Sequence, residues 1–207
     1  MRIGLFIPCY IDAFFPEVGI ATLELLERLG HEVVYPRDQT CCGQPMANSG
    51  FNAECADTEA LFVRNFSGFD YVVAPSGSCV HHVRDNFDAI EQTAEVKEVR
   101  ARTYEIVEFL HDILKVDAFP WARFPHRVGL HNSCGTLRRL KHAAPPDWAW
   151  RNSGPRSNAS AAAPCCRSRG QPQPDPVNLG NGDANALAPP LVSGPERRAA
   201  AALQGHA

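Results

Sequence analysis

Short apolar runs alternate with helical patterns in this chain, and a cysteine follows each run; no other feature restricts its possible folds as strongly. Arg2–Ile7 is an apolar run closed by Pro8 and reads as a buried strand. In Glu17–Leu29, Ile20, Leu23, Leu26 and Leu29 recur at helical spacing, and Gly30 stands where a left-handed C-cap belongs. Glu32–Tyr35 reads as a second strand and Cys41–Gly50 as a loop. Asn52–Phe66 reads as a helix with Leu61 and Phe62 inward, Asp70–Ala74 as a third strand, and Cys79–Phe87 as a helix. Thr103–Leu114 reads as a further helix carrying Ile106, Phe109, Leu110 and Ile113 on one face. Arg127–Leu130 reads as a fourth strand, and His131–Cys134 as a loop opening another helix. Such alternation predicts an α/β fold with a mainly parallel sheet and flanking helices, Rossmann-like in arrangement.

The cysteines fall at corresponding places in this pattern. Cys9 follows strand one, Cys41 and Cys42 follow strand two, Cys79 follows strand three and Cys134 follows strand four. Sites in parallel sheets collect beyond the carboxyl ends of the strands, so these thiols are expected to converge on one edge. Thiolates select zinc, copper(I) or iron–sulfur clusters. The spacing is not the doubled C-x₂-C of a zinc ribbon. The adjacent pair Cys41-Cys42 needs an irregular backbone to aim both sulfurs inward, and Gly43 supplies that freedom. A vicinal pair suits a bridge between two irons, while a zinc or thiol-redox module stays open at this point.

Composition divides the chain near His142. From Ala143 to the end, 65 residues contain no Ile, Phe or Tyr and hold 10 of the 17 prolines. Ordering a residue costs roughly 1–2 kcal/mol, and this segment lacks the large apolar side chains to offset it. Residues 1–142 are therefore expected to be the folded domain, and 143–207 a disordered tail, with a short helix possible at Glu196–Gln204. Charge divides the same way, with a net of −5 over residues 1–142 and +2 beyond. No basic run marks a nucleic-acid partner, and no stretch reaches the ~18 apolar residues of a membrane span. The opening residues are too short an apolar run for a signal peptide, so the protein is expected to be soluble and cytoplasmic. In that reducing compartment, eight cysteines point to metal or redox chemistry before disulfides. No G-x-G-x-x-G follows a strand, so no flavin or nicotinamide fingerprint is present.

The pattern Cys9, 31 residues, Cys41-Cys42-Gly43, then Ser76-Gly77-Ser78-Cys79 resembles the CCG motif of a family of cysteine-rich iron–sulfur proteins. That family includes subunits of glycolate oxidase and heterodisulfide reductase. The runs Cys41-Cys42-Gly43-Gln44-Pro45, Asn48-Ser49-Gly50-Phe51 and His131-Asn132-Ser133-Cys134 are most similar to its lactate-utilisation branch. The resemblance implies that Cys9, Cys41, Cys42 and Cys79 hold an iron–sulfur cluster, of the 4Fe-4S type, and that Cys134 opens a second motif contributing to cofactor binding. It implies an electron-transfer subunit working with other iron–sulfur subunits to oxidise L-lactate, or a related 2-hydroxy acid, to pyruvate. No catalytic acid or base is expected, because the cluster carries the redox step.

Two departures from the family pattern stand out. Ser76 replaces the first cysteine of the usual C-x-x-C. Beyond Cys134 the expected second CCG is missing: Cys165-Cys166 is followed by Arg167 and by no C-x-x-C. Arg outnumbers Lys by 17 to 3, which fits a GC-rich gene, and a shifted reading frame in such a gene gives the Ala, Pro, Arg, Gly and Ser of the tail. A truncated, non-functional product is accordingly a third reading, beside the iron–sulfur subunit and the zinc or thiol module. Cys55 reads as core packing apart from the site, and Cys165 and Cys166 as non-ligands. His81 and His82 read as surface or half-buried residues, and His131 as a residue that could orient the site by hydrogen bonding.

Overall fold

The computed structural model describes residues 1–122, all within one compact unit. The strand read at Arg127–Leu130, the His131–Cys134 loop and everything read in the tail lie outside the described residues. Four strands form one sheet: β1 (Arg2–Leu5), β2 (Glu32–Val34), β3 (Tyr71–Ala74) and β4 (Thr103–Glu105). Their order is β2-β1-β3-β4 and every pairing is parallel. The expected α/β class and parallel sheet are thus observed. The connections carry α1 (Cys9–Phe14), α2 (Pro16–Arg28), α3 (Gln44–Asn48), α4 (Ala56–Phe66), α5 (Gly77–Asn86), α6 (Ala94–Ala101) and α7 (Ile106–Glu108), which continues as a π turn over Phe109–Ile113.

Strand alternation explains the two-sided core. Ile3 and Leu5 of β1 and Val73 of β3 are buried on one face, with Leu26 of α2 and Phe109 beneath them. Phe6, Val72 and Ala74 are buried on the other, against Phe62 and Phe66 of α4, Val80 and Val83 of α5, and Phe87 just beyond it. Rings in this second layer meet edge to face, Phe6 on Phe62 at 5.0 Å and Phe62 on Phe87 at 5.4 Å between centroids. Gly4 lets that layer approach, since a Cβ there would come within 2.8 Å of both Phe66 and Phe69.

Two readings are corrected. Thr103–Glu105, expected to begin a helix, pairs with Val72–Ala74 as the edge strand β4. The apolar period does start at Ile106, but no Gly or Pro separates it from the strand. A capping box ends the strand instead: Glu105 accepts from the backbone N–H groups of Val107 and Glu108, and the Glu108 side chain accepts from the Glu105 N–H. The Cys41–Gly50 segment is not all loop, because Gly43 turns the chain into the short helix α3. Helix α6 was not anticipated; Thr93 caps it, accepting from the Val96 N–H, and Val96 and Val99 are its buried side. No helix among the described residues is long and apolar enough to cross a membrane.

Candidate metal centre

The carboxyl ends of β1, β2 and β3 lie side by side, and the chain leaving each one delivers a cysteine. Pro8 caps α1, with its carbonyl accepting from Ile11 and Asp12, which puts Cys9 at the first helical position. Gln39, in the connection after β2, clamps that loop to the end of β1. Its Oε1 accepts from the Ile7 N–H at 2.8 Å, while its Nε2 donates to the carbonyls of Leu5 at 3.0 Å and Pro36 at 2.9 Å. The clamp brings Cys41 to Cys9, with the two sulfurs 3.5 Å apart. Gly43 then adopts φ +88°, a left-handed conformation that an L side chain strains to reach. That turn lets the Gly43 N–H point back to the Cys41 sulfur at 3.4 Å.

After β3, Ser76 is the N-cap residue of α5 and Cys79 stands in its first turn. Ser76 is buried, and its hydroxyl accepts from the Tyr10 hydroxyl at 3.2 Å, tying the Cys9 helix to the Cys79 helix. Cys42 is buried, and its thiol interacts with those of Cys41 and Cys79. The four thiols therefore form a continuous row, Cys9 to Cys41 to Cys42 to Cys79. Cys134 lies outside the described residues.

Electrostatics within the row are uneven. The Cys42 hydrogen bond pulls Cys41 down to about 5 against the opposing effect of burial, helped by the Gly43 N–H. The same residue pulls Cys79 down to about 7, again against burial, with hydrogen bonds from Ser76 and Ser78 assisting. Cys42 itself is pushed far up by its contacts with the neighbouring Cys41 and Cys79 thiols and by burial. Burial, followed by the Cys41 contact, raises Cys9 to about 11. One thiolate at neutral pH, one thiol near its midpoint and two retained thiol protons make a soft, partly charged donor set, from which a cation would displace protons. Among the described residues, no three His, Cys, Asp or Glu side chains are grouped to hold a single ion. The donor chemistry, soft thiols delivered by three loops to one edge of the sheet, fits a thiophilic metal or metal–sulfur group.

Several neighbours escaped the sequence reading. Gln39 has no motif signature, since its role depends on two loops meeting. Cys55 is not apart from the site: its S–H approaches the Gly43 carbonyl at 3.6 Å and the Phe51 carbonyl at 3.3 Å, so it braces the CCG turn. His81 and His82 are buried, at 8% and 1% exposure, where surface or half-buried positions were expected. His81 lies 2.6 Å from Asp85, one turn along α5. The i, i+3 relation of Cys79 to His82 was the signal available for the latter.

Residues 3–84 match the CCG cysteine-rich domain family. The chain is 44% identical over 144 residues to lactate utilization protein A of Geobacillus kaustophilus, covering 68% of this chain and 60% of the relative. It is 42% identical over 144 residues to the protein of that name in Geobacillus thermodenitrificans, with the same coverage. To the one in an Exiguobacterium species it is 41% identical over 152 residues, covering 70% of this chain and 61% of the relative. The chain thus spans about three fifths of the length of these curated relatives. No solved structure matches it.

Proposed function

Residues 3–84 are a cysteine-rich domain of the CCG family, and from this premise we propose that the chain is an iron–sulfur, electron-transfer subunit in lactate utilisation. The reading has it serve the oxidation of L-lactate, or a related 2-hydroxy acid, to pyruvate in company with other iron–sulfur subunits. The observation that carries it is the row of four thiols assembled from three separate strand ends, with Cys9 and Cys41 3.5 Å apart. The names of the relatives supply the substrate class.

Cys9, Cys41, Cys42 and Cys79 would hold the cluster, and Cys134 would join them from beyond the described residues. When bound, the cluster supplies one-electron redox chemistry. Cys41 is ready as a thiolate at neutral pH and Cys79 is poised to ionise there, whereas Cys9 and Cys42 must yield their protons on binding. Ser76, in place of the family's thiolate, hydrogen-bonds to Cys79 and so favours its charged form. The burial of Cys42 and Cys79 keeps water from that end of the row, while exposed Cys9 opens the other end to solvent or a partner.

Anaerobic reconstitution of the full chain with ferrous iron and sulfide tests the proposal. The wild type should take up both and develop the brown absorbance of a cluster, and Cys42→Ala should lose most of it. Uptake of zinc alone by the wild type would replace this reading with a zinc module. Iron and sulfide unchanged in Cys42→Ala would remove the row from the assignment.

A further inference from the structure

His82 stands three residues after Cys79 and therefore on the same face of α5. Its side chain is 1% exposed, and its Nε2 has no hydrogen-bond partner among the described residues. A Cβ built on Gly43 would lie 3.5 Å from that nitrogen. The ring edge is thus aimed at the backbone immediately after Cys42, over a position where only a glycine stands. Phe87 packs edge-on against the imidazole, with centroids 5.6 Å apart, and holds the ring in place. Buried polar atoms in folded proteins are almost always paired, and an apolar side chain would fill this space without leaving a nitrogen unsatisfied. A nitrogen kept here and directed at the CCG turn calls for an acceptor that arrives with the bound group.

We propose that His82, as its Nε2–H tautomer, donates a hydrogen bond to a sulfur of the group held by Cys41, Cys42 and Cys79, and so tunes that group's reduction potential. The inference rests on the iron–sulfur reading above. An N–H donor favours the more negative, reduced state of the sulfur it meets, so its presence raises the potential. His82 acts through the cluster's sulfur and is a positioning residue. Neither the family match nor any thiol motif assigns it.

The test uses the full-length chain, reconstituted anaerobically, as wild type, His82→Leu and His82→Gln. Iron and sulfide per chain report on the iron–sulfur reading, and an EPR-monitored redox titration reports on His82. His82→Leu should keep the wild-type iron and sulfide while its midpoint moves to lower potential, and His82→Gln, which retains an N–H, should recover part of the shift. A fully loaded His82→Leu with an unmoved midpoint overturns the role of His82 and leaves the cluster standing. A wild type that takes up neither iron nor sulfide overturns the reading of the site and this inference with it. Wild-type protein labelled with ¹⁵N-histidine gives a measurement independent of the variants' folding. A weak electron–nuclear coupling to one ¹⁵N, with an exchangeable proton, supports the hydrogen bond. No coupling, or the strong coupling of a direct ligand, refutes it.

Discussion

Gln39 and Gly43 show how single residues set the geometry of the thiol row. Gln39 makes three hydrogen bonds that join the loops bearing Cys9 and Cys41. Gln39→Ala would leave the Ile7 N–H and the Leu5 carbonyl without these partners, a loss of about 1–3 kcal/mol. Urea unfolding of the metal-free protein should show that loss as a lower midpoint with an unchanged slope. Gly43 and Gly30 offer a matched pair, with φ of +88° and +86°. Neither Gly43→Ala nor Gly30→Ala would meet an atom closer than ordinary contact, so each should cost about 1–2 kcal/mol from backbone strain alone. Gly30 ends α2, whereas Gly43 aims Cys41 and Cys42. Only Gly43→Ala should also lower iron uptake, as read by titration of the reconstituted protein, and equal uptake by the two variants would separate the turn from the site.

Among the elements, β4 and the turn that follows it carry a pH dependence. Glu105 ends β4 and caps α7, and burial pushes its carboxyl up to about 7, with the nearby Glu108 charge adding to the rise and backbone N–H groups opposing it. A carboxyl raised in the folded state keeps a proton that the unfolded chain has already lost. The associated stability is therefore complete below the ordinary glutamate range and is lost as pH rises through about 7. Unfolding free energy should fall between about pH 4.5 and 7, and Glu105→Gln, which keeps an acceptor for the Val107 N–H, should flatten that slope. An identical slope in the variant would assign the titration to another group. In β1, Gly4→Ala would drive a methyl into Phe66 and Phe69 at 2.8 Å. Overpacking of this kind costs about 1–3 kcal/mol, and thermal melting should register it.

For the molecule as a whole, three strand ends contribute to one donor set, so binding there links segments far apart in sequence. Cys9 and Cys79 are separated by two βα units, and a group held by both crosslinks the sheet. Loaded protein should melt higher than metal-free protein, by about 2.7 kcal/mol of added stability when free ligand exceeds its Kd a hundredfold. The increment should vanish in Cys42→Ala. On composition we also propose that the domain ends near residue 142. Limited proteolysis followed by mass spectrometry should then yield a stable fragment ending near residue 141, and a resistant full-length chain would remove that boundary.

Sequence alone determined the first three strands, the longer helices α2 and α4 between them, the parallel sheet and the four cysteines that follow its strands, though not the short helices α1 and α3. Those features follow from local periodicity and from the rule that parallel strands all point their carboxyl ends the same way. It left β4 hidden inside a helical pattern, because Thr103–Glu105 becomes a strand only by pairing with Val72–Ala74, a long-range contact that local spacing does not encode. The burial of His82, the bracing of Gly43 by Cys55 and the Gln39 clamp were likewise decided by tertiary structure. Each depends on two loops or a loop and a helix meeting in space. A side chain's hydrogen-bond partners are set by that meeting, whereas its residue type records only what it is able to donate or accept.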